Sequence, residues 1–389
     1  MNHIQTLDSI QLQDKVVLIR ADLNVPIKDG KISENTRVKA SLPTIEYCLE
    51  HGAKQVHILS HLGRPKGEYN SQFSLEIVSD ELTKLLEQPV FFAENFDANT
   101  TEHQVVLHEN IRFYPGEKQN DEAFIQQILD ATKADIFVND GFGVSHRAHA
   151  SVVGFAGKIP CVAGKLVESE VEHLSPFLSD KKIAGLTVLV GGAKMETKVA
   201  VLKHFARTAE NICIGGALAN TFLAAKGFDV GESLYEEAEI KTAQEVLAIA
   251  EQHQTGFHMP IDVIAADEID GKALDFPRED ISGSLKIFDL GPHTVSSYKE
   301  VLEHSKTVIW NGPFGLYEKD AYRNGTEKIA QFLAQNKDLQ TILGGGDTLD
   351  ALKKFSIDQS EYTHVSTGGG AMLEFLEGKK LPGIEVVKK

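Results

Sequence analysis

Positively charged side chains cluster near the ends of apolar runs in the first half of this chain. The sequence has eight arginines against 31 lysines, and five of the arginines lie within the first 147 residues. A guanidinium group stays charged and matches carboxylate or phosphate oxygens two at a time. Four of these arginines therefore predict a site for a small, multiply charged anion, whereas any one of them alone is equally explained by a surface ion pair. They are Arg37, Arg64, Arg112 and Arg147, with His61 near Arg64 and with His146 and His149 beside Arg147.

Two polar residues follow the first apolar run, shortly before a proline. Asp22 and Asn24 precede Pro26. A carboxylate among arginines can accept hydrogen bonds from ligand hydroxyl groups and can orient the guanidinium groups. The alternative is a turn in which the Asp22 side chain binds its own backbone ahead of the proline. On these residues alone, both interpretations remain open.

Glycines take the corresponding positions in the second half of the chain. Glycine lets backbone N–H groups approach a phosphate closely, and a helix that begins there adds its positive end. A single glycine pair is also explained by a tight turn, but five predict a phosphate or nucleotide edge. Neither a Walker P-loop nor the dinucleotide fingerprint G-x-G-x-x-G occurs in the sequence. The five glycine-containing segments are residues 191–194, 215–218, 311–315, 344–348 and 368–371.

Two lysines and one aspartate accompany these glycines. Lys194 and Lys198 are four residues apart. If a helix begins near Met195, they lie on one side of its first turn, where cations oppose the helix dipole unless a polyphosphate is shared between them. Asp347 follows three glycines and is a candidate Mg²⁺ carboxylate, since Mg²⁺ binds through one or two carboxylates plus phosphate oxygens. A helix N-cap is the alternative role for Asp347.

The elements that must position these residues are strands alternating with helices. Runs that are apolar on both faces, separated by segments with helical spacing, indicate parallel sheets covered by helices. We therefore expect an α/β protein with two doubly wound, Rossmann-like parallel-sheet domains, whose ligands lie at the carboxyl ends of the strands. The predicted divisions are a first domain over 1–165, an interdomain helix and hinge over 166–182, a second domain over 183–370, and a tail over 371–389. The predicted strands are 16–21, 56–60, 90–92, 105–107 and 136–139, then 186–190, 211–214, 261–265, 308–310, 341–343 and 364–366.

Composition restricts the partners. The formal charge of −17 argues against nucleic acid and anionic membranes, both of which require a basic surface. No signal peptide and no run of about 18 apolar residues is visible, which predicts a cytoplasmic protein. The spacing of Cys48, Cys161 and Cys213 fits neither a disulfide framework nor a zinc site, so free buried thiols are expected.

Eight segments in order along the chain resemble one family, phosphoglycerate kinase. The resemblance implies reversible transfer of a phosphoryl group from 1,3-bisphosphoglycerate to ADP, giving 3-phosphoglycerate and ATP, with Mg²⁺. It also implies a monomer whose first domain binds the glycerate, whose second domain binds the nucleotide, and whose tail returns to the first domain. The matching segments are 20–26 (RADLNVP), 61–65 (HLGRP), 109–113 (ENIRF), 139–143 (NDGFG) with 146–151 (HRAHAS), 191–194 (GGAK) with Lys198, 310–315 (WNGPFG), 344–348 (GGGDT) and 366–370 (STGGG).

The resemblance also implies roles for individual residues. Arg37 and Lys194 would stabilise the moving phosphoryl group, aided by backbone N–H groups at Gly346 and Gly369, and Asp347 would meet Mg²⁺ through the nucleotide. One departure is Gly141, where the family usually has alanine, and it could loosen the loop before His146. The glycerate side would comprise Asp22, Leu23, Asn24, Arg37, His61, Leu62, Gly63, Arg64, Arg112 and Arg147. The nucleotide side would comprise Lys194, Lys198, Gly215, Gly216, Asn311, Glu318, Gly345, Gly346, Asp347 and Thr348.

The chemistry requires no general base, because an acyl phosphate is a reactive donor and the β-phosphate of ADP is already a nucleophile. The expected work is in-line positioning and charge neutralisation after the two domains close. Two rival classes make different demands on the sequence. A nicotinamide-dependent oxidoreductase requires the dinucleotide fingerprint. An exported two-lobed anion-binding protein requires a signal peptide and leaves Lys194, Lys198 and Asp347 unexplained.

Overall fold

A computed structural model describes residues 4–389, so the first three residues of the predicted first domain lie outside it. The chain divides into two compact units. One runs to Ser175 and also includes Lys379–Lys389, and the other is Pro176–Gly378. Over the described range, no helix is both long enough and apolar enough to cross a membrane.

The first unit is built on a six-stranded parallel sheet in the order β5-β6-β4-β1-β7-β8. The chain adds strands on one side of β1 and then on the other, which is the doubly wound arrangement expected from its apolar runs. A short antiparallel hairpin, β2–β3, follows β1. The strands are β1 (Val16–Ala21), β2 (Ile27–Lys28), β3 (Lys31–Ile32), β4 (Gln55–Leu59), β5 (Val90–Ala93), β6 (Val105–His108), β7 (Ile136–Asp140) and β8 (Cys161–Ala163).

Helices follow most of these strands. Their apolar faces and the central strands form a core that includes Val17, Ile19, Val38, Ile45 and Val138, all fully buried. Parallel strands covered by helices leave only the loops at the strand ends free to carry polar function. The helices are α1 (Thr36–Glu50), α2 (Glu76–Leu86), α3 (Pro115–Gln119), α4 (Glu122–Thr132), α5 (Ala150–Val153) and α6 (Lys165–Leu174).

The second unit repeats the design with a parallel sheet in the order β11-β10-β9-β15-β16-β17. In order of appearance, the strands of this sheet run 3-2-1-4-5-6, so the order reverses between β9 and β15. Trp310 and Phe314 are buried in the core beside this point. The strands are β9 (Ile183–Val190), β10 (Ala209–Ile214), β11 (Gly256–His258), β12 (Asp262–Ala266), β13 (Leu274–Pro277), β14 (Lys286–Leu290), β15 (Thr307–Asn311), β16 (Gln340–Gly344) and β17 (His364–Val365).

Three strands of the second unit form a separate antiparallel sheet. The run 261–265 is a strand, β12, but it pairs with β13 and β14 rather than joining the parallel sheet as predicted. An apolar run gives no information about which strand it will pair with, which explains the difference. The helices of this unit are α7 (Val199–Thr208), α8 (Gly216–Ala225), α9 (Ile240–Gln252), α10 (Pro292–Glu303), α11 (Asn324–Gln335), α12 (Gly346–Lys354) and α13 (Gly370–Leu376).

The segments at the ends of the units are short and well bonded. After α6, the chain enters the second unit through the 3-10 turn Ser175–Leu178. The final helix, α14 (Pro382–Glu385), packs in the first unit. There Asn139 Nδ2 donates to the Gly383 carbonyl at 2.7 Å, and the Gly383 N–H donates to the Ser145 carbonyl at 2.8 Å. These bonds tie the tail to the loop that follows β7.

Candidate active site

The carboxyl edge of the first parallel sheet collects four of the predicted anion-binding residues. Asp22 directly follows β1, His61 follows β4, and Arg112 lies in the 3-10 turn Ile111–Phe113 after β6. Arg37 lies in the first turn of α1 and donates to Asp22, with 2.5 Å between Nη1 and Oδ2. Because β6, β4 and β1 are neighbours in the sheet, the three loops meet at one edge.

The charges at this edge act on one another. Burial alone would raise the pKa of Asp22, but the charges of Arg37 and Arg20 bring it below its ordinary value, so the carboxylate is ionised. Burial, reinforced by the charge of Arg20, lowers the pKa of Arg112 to about 10, so its guanidinium remains charged at neutral pH. Its buried Nε has no hydrogen-bond partner among residues 4–389, which leaves a donor for an anion.

The loop after β4 is held in one conformation. Gly63 has a φ of +60°, and a Cβ there would lie 2.3 Å from the Phe73 ring, so a larger residue is excluded. Its N–H donates to Asn24 Oδ1 at 2.8 Å, and its carbonyl accepts from Arg112 Nη1 at 2.8 Å. Asn24 thus fixes the loop that carries His61.

The remaining predicted residues of this unit divide into two kinds. Leu23 and Leu62 are buried apolar side chains. Arg64 and Arg147 have exposed side chains at the same sheet edge. The charge of Arg64 contributes to lowering the pKa of Arg112. The edge therefore presents two solvent-exposed arginines.

Two supporting residues were missed by reasoning from the sequence. Asn110 is fully buried, and its Nδ2 donates to the Leu62 carbonyl at 2.7 Å and to the Phe73 carbonyl at 2.9 Å. Arg20 is buried within β1 and reaches His61. Asn110 lies within the segment 109–113, which could have drawn attention to it. Arg20 stands in an otherwise apolar strand, which is itself a signal that it has a buried partner.

In the second unit, the five predicted glycine turns all lie at the carboxyl edge of the parallel sheet. The strand order reverses between β9 and β15, and the turns that follow these two strands are hydrogen-bonded to each other. The Gly191 N–H donates to the Asn311 carbonyl at 3.0 Å, and the Gly192 N–H donates to the Pro313 carbonyl at 2.7 Å. A reversal of this kind opens a crevice in which ligands of doubly wound sheets bind.

Lys198 occupies this crevice. Its side chain is buried, and its ammonium group donates to the carbonyl and to the side-chain Oδ1 of Asn311, at 3.1 and 2.8 Å. Gly312 has a φ of +95°, and a Cβ there would lie 2.6 Å from Nζ. Burial lowers the pKa of Lys198 to about 8, and the charge of Asp347 only partly offsets this. A buried ammonium with neutral partners is poised to receive an anion.

The condition for placing Lys194 and Lys198 on one helical turn, a helix that begins near Met195, is not met. Helix α7 begins at Val199, and Lys198 is its N-cap residue. Met195 is fully buried, its N–H donates to Glu236, and its carbonyl accepts from the N–H groups of Lys198 and Val199, so a turn precedes the helix. Lys194 therefore lies in an exposed loop ahead of the helix.

The glycine segment after β16 joins the same edge. Gly345 precedes α12, which begins at Gly346. Thr348 is buried, and its Oγ1 accepts from the Gly312 N–H at 2.8 Å. Asn311 Nδ2 donates to the Gly344 carbonyl at 3.0 Å. These bonds hold the turns after β15 and β16 together, so that Lys198, Asn311 and the start of α12 form one surface.

A cleft of about 690 Å³ opens beside this surface. Such a volume suits a nucleotide-sized ligand, and the wall includes apolar side chains of Leu234, Phe288 and Leu290. Among the predicted nucleotide-side residues, Gly216, Glu318 and Asp347 line the cleft. Gly215 ends the turn after β10, directly before α8.

Asp347 and Gly369 complete the edge. Asp347 has an exposed carboxylate in the first turn of α12. Gly369 has a φ of +52° and directly precedes α13. Within the part of the chain that the structure describes, no cluster of three or more histidine, cysteine, aspartate or glutamate residues could hold a metal ion.

The three cysteines are buried and unpaired, as expected from their spacing.

The loop at Gly141 is also buried. Its N–H donates to Asn139 Oδ1 at 3.2 Å, and its carbonyl accepts from Ser145 Oγ at 2.9 Å. These bonds restrain the backbone before His146.

Comparisons with known proteins agree with this geometry. The sequence model described as phosphoglycerate kinase matches residues 7–379. A phosphoglycerate kinase of Moorella thermoacetica is 41% identical over 392 residues, covering 97% of this chain and 98% of that protein. The solved phosphoglycerate kinase of Coxiella burnetii is 39% identical, covers 99% of both chains and has a TM-score of 0.89. That of Pyrococcus horikoshii is 31% identical, covers 99% of this chain and 98% of its own, and has a TM-score of 0.83.

Two doubly wound units, one with an arginine-rich edge and the other with a glycine-edged cleft, define a two-domain α/β phosphotransferase. The chain belongs to the phosphoglycerate kinase family. Members of that family transfer a phosphoryl group reversibly between 1,3-bisphosphoglycerate and ADP in glycolysis. ADP and ATP are accordingly the nucleotide substrates of this enzyme.

Proposed function

We propose that this chain catalyses the reversible conversion of 1,3-bisphosphoglycerate and ADP into 3-phosphoglycerate and ATP, with the glycerate bound at the edge of the first sheet. The glycerate is held by four residues that lie together, Asp22, Arg37, His61 and Arg112. Arg112 has an Nε donor without a protein partner among residues 4–389, which is available to the ligand. Arg64 and Arg147 add two exposed guanidinium groups for phosphate oxygens. Asn24 and Gly63 shape the loop, and the buried Leu23 and Leu62 offer only their backbone.

The nucleotide binds in the cleft of the second unit. The observation that carries this assignment is Lys198, a buried ammonium group whose hydrogen bonds go to one neutral residue. A phosphate of ADP or ATP supplies the missing negative charge, and N–H groups at the start of α12 bind its oxygens. The apolar wall of the cleft, together with Gly215 and Gly216, receives the base, and Glu318 and Thr348 complete the site.

Mg²⁺ fits this arrangement as an ion held chiefly by phosphate oxygens. Asp347 is an exposed carboxylate next to the phosphate edge, and Mg²⁺ typically takes one or two carboxylates plus phosphates and waters. When bound, the ion neutralises charge on the nucleotide. The protein contributes Asp347 and the fixed backbone of Gly345 and Gly346.

The chemistry of this chain is positioning and charge neutralisation. Arg37 from the first unit and Lys194 from the second neutralise the phosphoryl group in flight, and the N–H groups of Gly346 and Gly369 donate to its oxygens. Because the substrates bind to different units in this proposal, transfer requires the units to close and exclude water. The protein acts as a cytoplasmic monomer on small molecules, with no nucleic-acid partner, in keeping with its formal charge of −17.

Equilibrium binding of each substrate alone tests the division between the units. We expect Arg64→Ala to weaken 3-phosphoglycerate binding about tenfold or more, the loss typical of a charge-assisted hydrogen bond, and to leave Mg-ADP binding unchanged. Asp347→Asn should weaken Mg-ADP binding and spare 3-phosphoglycerate. Arg207→Ala, which removes an exposed arginine of α7, is the matched control and should affect neither. Equal losses for both ligands in either variant would contradict the assignment.

A further inference from the structure

Arg20 lies under the glycerate edge and is too deeply buried to bind a substrate. Its exposed fraction is 1%. All three parts of its guanidinium group are engaged. Nε donates to Ser151 Oγ at 2.9 Å, Nη1 donates to the Ala21 carbonyl, and Nη2 lies 3.1 Å from His61 Nδ1. The side chain therefore connects the interior of the unit to one residue of the site.

The interior end of this connection is a buried carboxylate. Ser151 Oγ donates to Glu117 Oε1 at 2.7 Å, and the Ser151 N–H donates to Oε2 at 2.9 Å. Glu117 is fully buried, and His149 Nδ1 lies 3.6 Å from it. Burial alone would raise the pKa of Glu117, but the neighbouring His149 ring, the charge of Arg20 and the two hydrogen bonds from Ser151 lower it overall. Glu117 is thus the ionised counter-charge of Arg20.

The contact with Arg20 determines which nitrogen of His61 carries hydrogen. A guanidinium group only donates hydrogen bonds, so His61 Nδ1 must accept, and the ring hydrogen must be on Nε2. The charged groups facing His61 are Asp22, Arg20, Arg112 and Arg37. Burial, helped by the three arginines and opposed by Asp22, holds the pKa of His61 well below 6.5, so the ring is neutral. Nε2 is therefore the hydrogen-bond donor of this neutral ring.

We propose that Arg20, anchored through Ser151 to Glu117, is a positioning residue that fixes His61 in its Nε2–H tautomer, so that this nitrogen donates to an anionic oxygen of the glycerate substrate. The inference rests on the proposed function in one respect, the assignment of His61 to the glycerate site. A neutral ring held in the other tautomer would present a lone pair to the anion and repel it. The buried Arg20, Ser151 and Glu117 therefore contribute to substrate affinity without touching the substrate.

The experiment combines kinetics with nitrogen NMR of the histidine rings. Arg20→Lys keeps the charge but loses the fork that reaches both Ser151 and His61. We expect the KM for 3-phosphoglycerate to rise about tenfold, the size expected when a charge-assisted hydrogen bond is weakened, while the KM for ATP stays within twofold. Glu117→Gln is nearly isosteric and should act in the same direction. Glu122→Gln, the same change at an exposed position of α4, is the control and should alter neither constant.

The NMR signature separates positioning from a general structural effect. The His61 resonances are assigned by their loss in His61→Gln. In the unaltered enzyme, we expect a bare Nδ1 and a protonated Nε2, and in Arg20→Lys a mixture of tautomers. The proposal is overturned if the tautomer and the KM for 3-phosphoglycerate are both unchanged in the variants. If Arg20→Lys does not fold, Glu117→Gln decides by the same criteria.

Failure of the proposed function would give a different result in the His61→Gln variant. If His61→Gln leaves the KM for 3-phosphoglycerate unchanged, His61 does not bind the glycerate, and both the assignment and the inference fall, even with the expected tautomer in the spectrum. If His61→Gln raises that KM while the Arg20 and Glu117 variants change nothing, the assignment stands and only the positioning role is refuted.

Discussion

Binding of ADP should depend on pH through one buried lysine. Burial lowers the pKa of Lys198 to about 8 in the free enzyme, and a bound phosphate must raise it, because a negative charge favours the ammonium form. Binding of ADP therefore takes up a proton in the pH range where Lys198 is neutral in the free enzyme and charged in the complex. ADP affinity should be full below pH 8 and should weaken as the pH rises above 8.

The magnitude follows from the fraction of charged Lys198. With a pKa of about 8, that fraction falls from about nine-tenths at pH 7 to about one-tenth at pH 9. If only the charged form binds tightly, the Kd for ADP rises about tenfold over this range, equivalent to about 1.4 kcal/mol. A phosphate group loses its second proton near about pH 6, so ADP itself adds little above pH 8.

Isothermal titration calorimetry in two buffers of different ionisation enthalpy measures the proton uptake directly. We expect about half a proton per ADP at pH 8. Lys198→Arg is the matched control, because a guanidinium group remains charged throughout this range, and its proton uptake should vanish. No proton uptake by the unaltered enzyme, together with a flat Kd between pH 7 and pH 9, would refute the reasoning.

Two further predictions concern catalysis and acid stability. Arg37→Ala should lower kcat about 10²-fold, as for loss of a transition-state donor, and an unchanged kcat in steady-state assays would exclude that role. Burial lowers the pKa of His57 to about 4 and that of His108 to about 3. Both rings stay neutral in the fold, so their contribution to stability is complete above pH 6.5 and is lost as the pH falls toward 4, by up to about 1.4 kcal/mol per pH unit for each histidine. Urea unfolding measures the free energy of unfolding at each pH. Between pH 6.5 and pH 4, the His57→Leu, His108→Leu double variant should lose less of this free energy than the unaltered protein, and equal losses in the two proteins would contradict the reasoning.

The parallel sheets could be predicted from the sequence because their strands are buried on both faces. Residues 16–21 and 136–139 present no exposed face, even though they include the buried Arg20 and Asn139. Strands β8 and β11 were not predicted, and each is a three-residue strand without periodicity. The antiparallel pairing of β12 depends on partners that are distant in sequence, which a local pattern does not contain.

The candidate site was partly predictable for a similar reason. Charged residues and glycines at strand ends are visible in the sequence, and the structure brings Asp22, Arg37, His61 and Arg112 to one edge. The residues behind them were not predictable. Glu117 and Ser151 meet only because α3 and α5 pack together, and Arg20 was counted as part of an apolar strand. Supporting residues depend on tertiary contacts, whereas ligand-binding residues carry their own chemical signal.

The most direct test of the central claim is a coupled assay with purified, folded protein. The reaction contains 3-phosphoglycerate and Mg-ATP, and glyceraldehyde-3-phosphate dehydrogenase consumes any 1,3-bisphosphoglycerate with oxidation of NADH. We predict NADH oxidation that requires both 3-phosphoglycerate and ATP and that falls about 10²-fold in Arg37→Ala. Folded protein that gives no signal dependent on both substrates would contradict the assignment of this chain as a phosphoglycerate-dependent kinase.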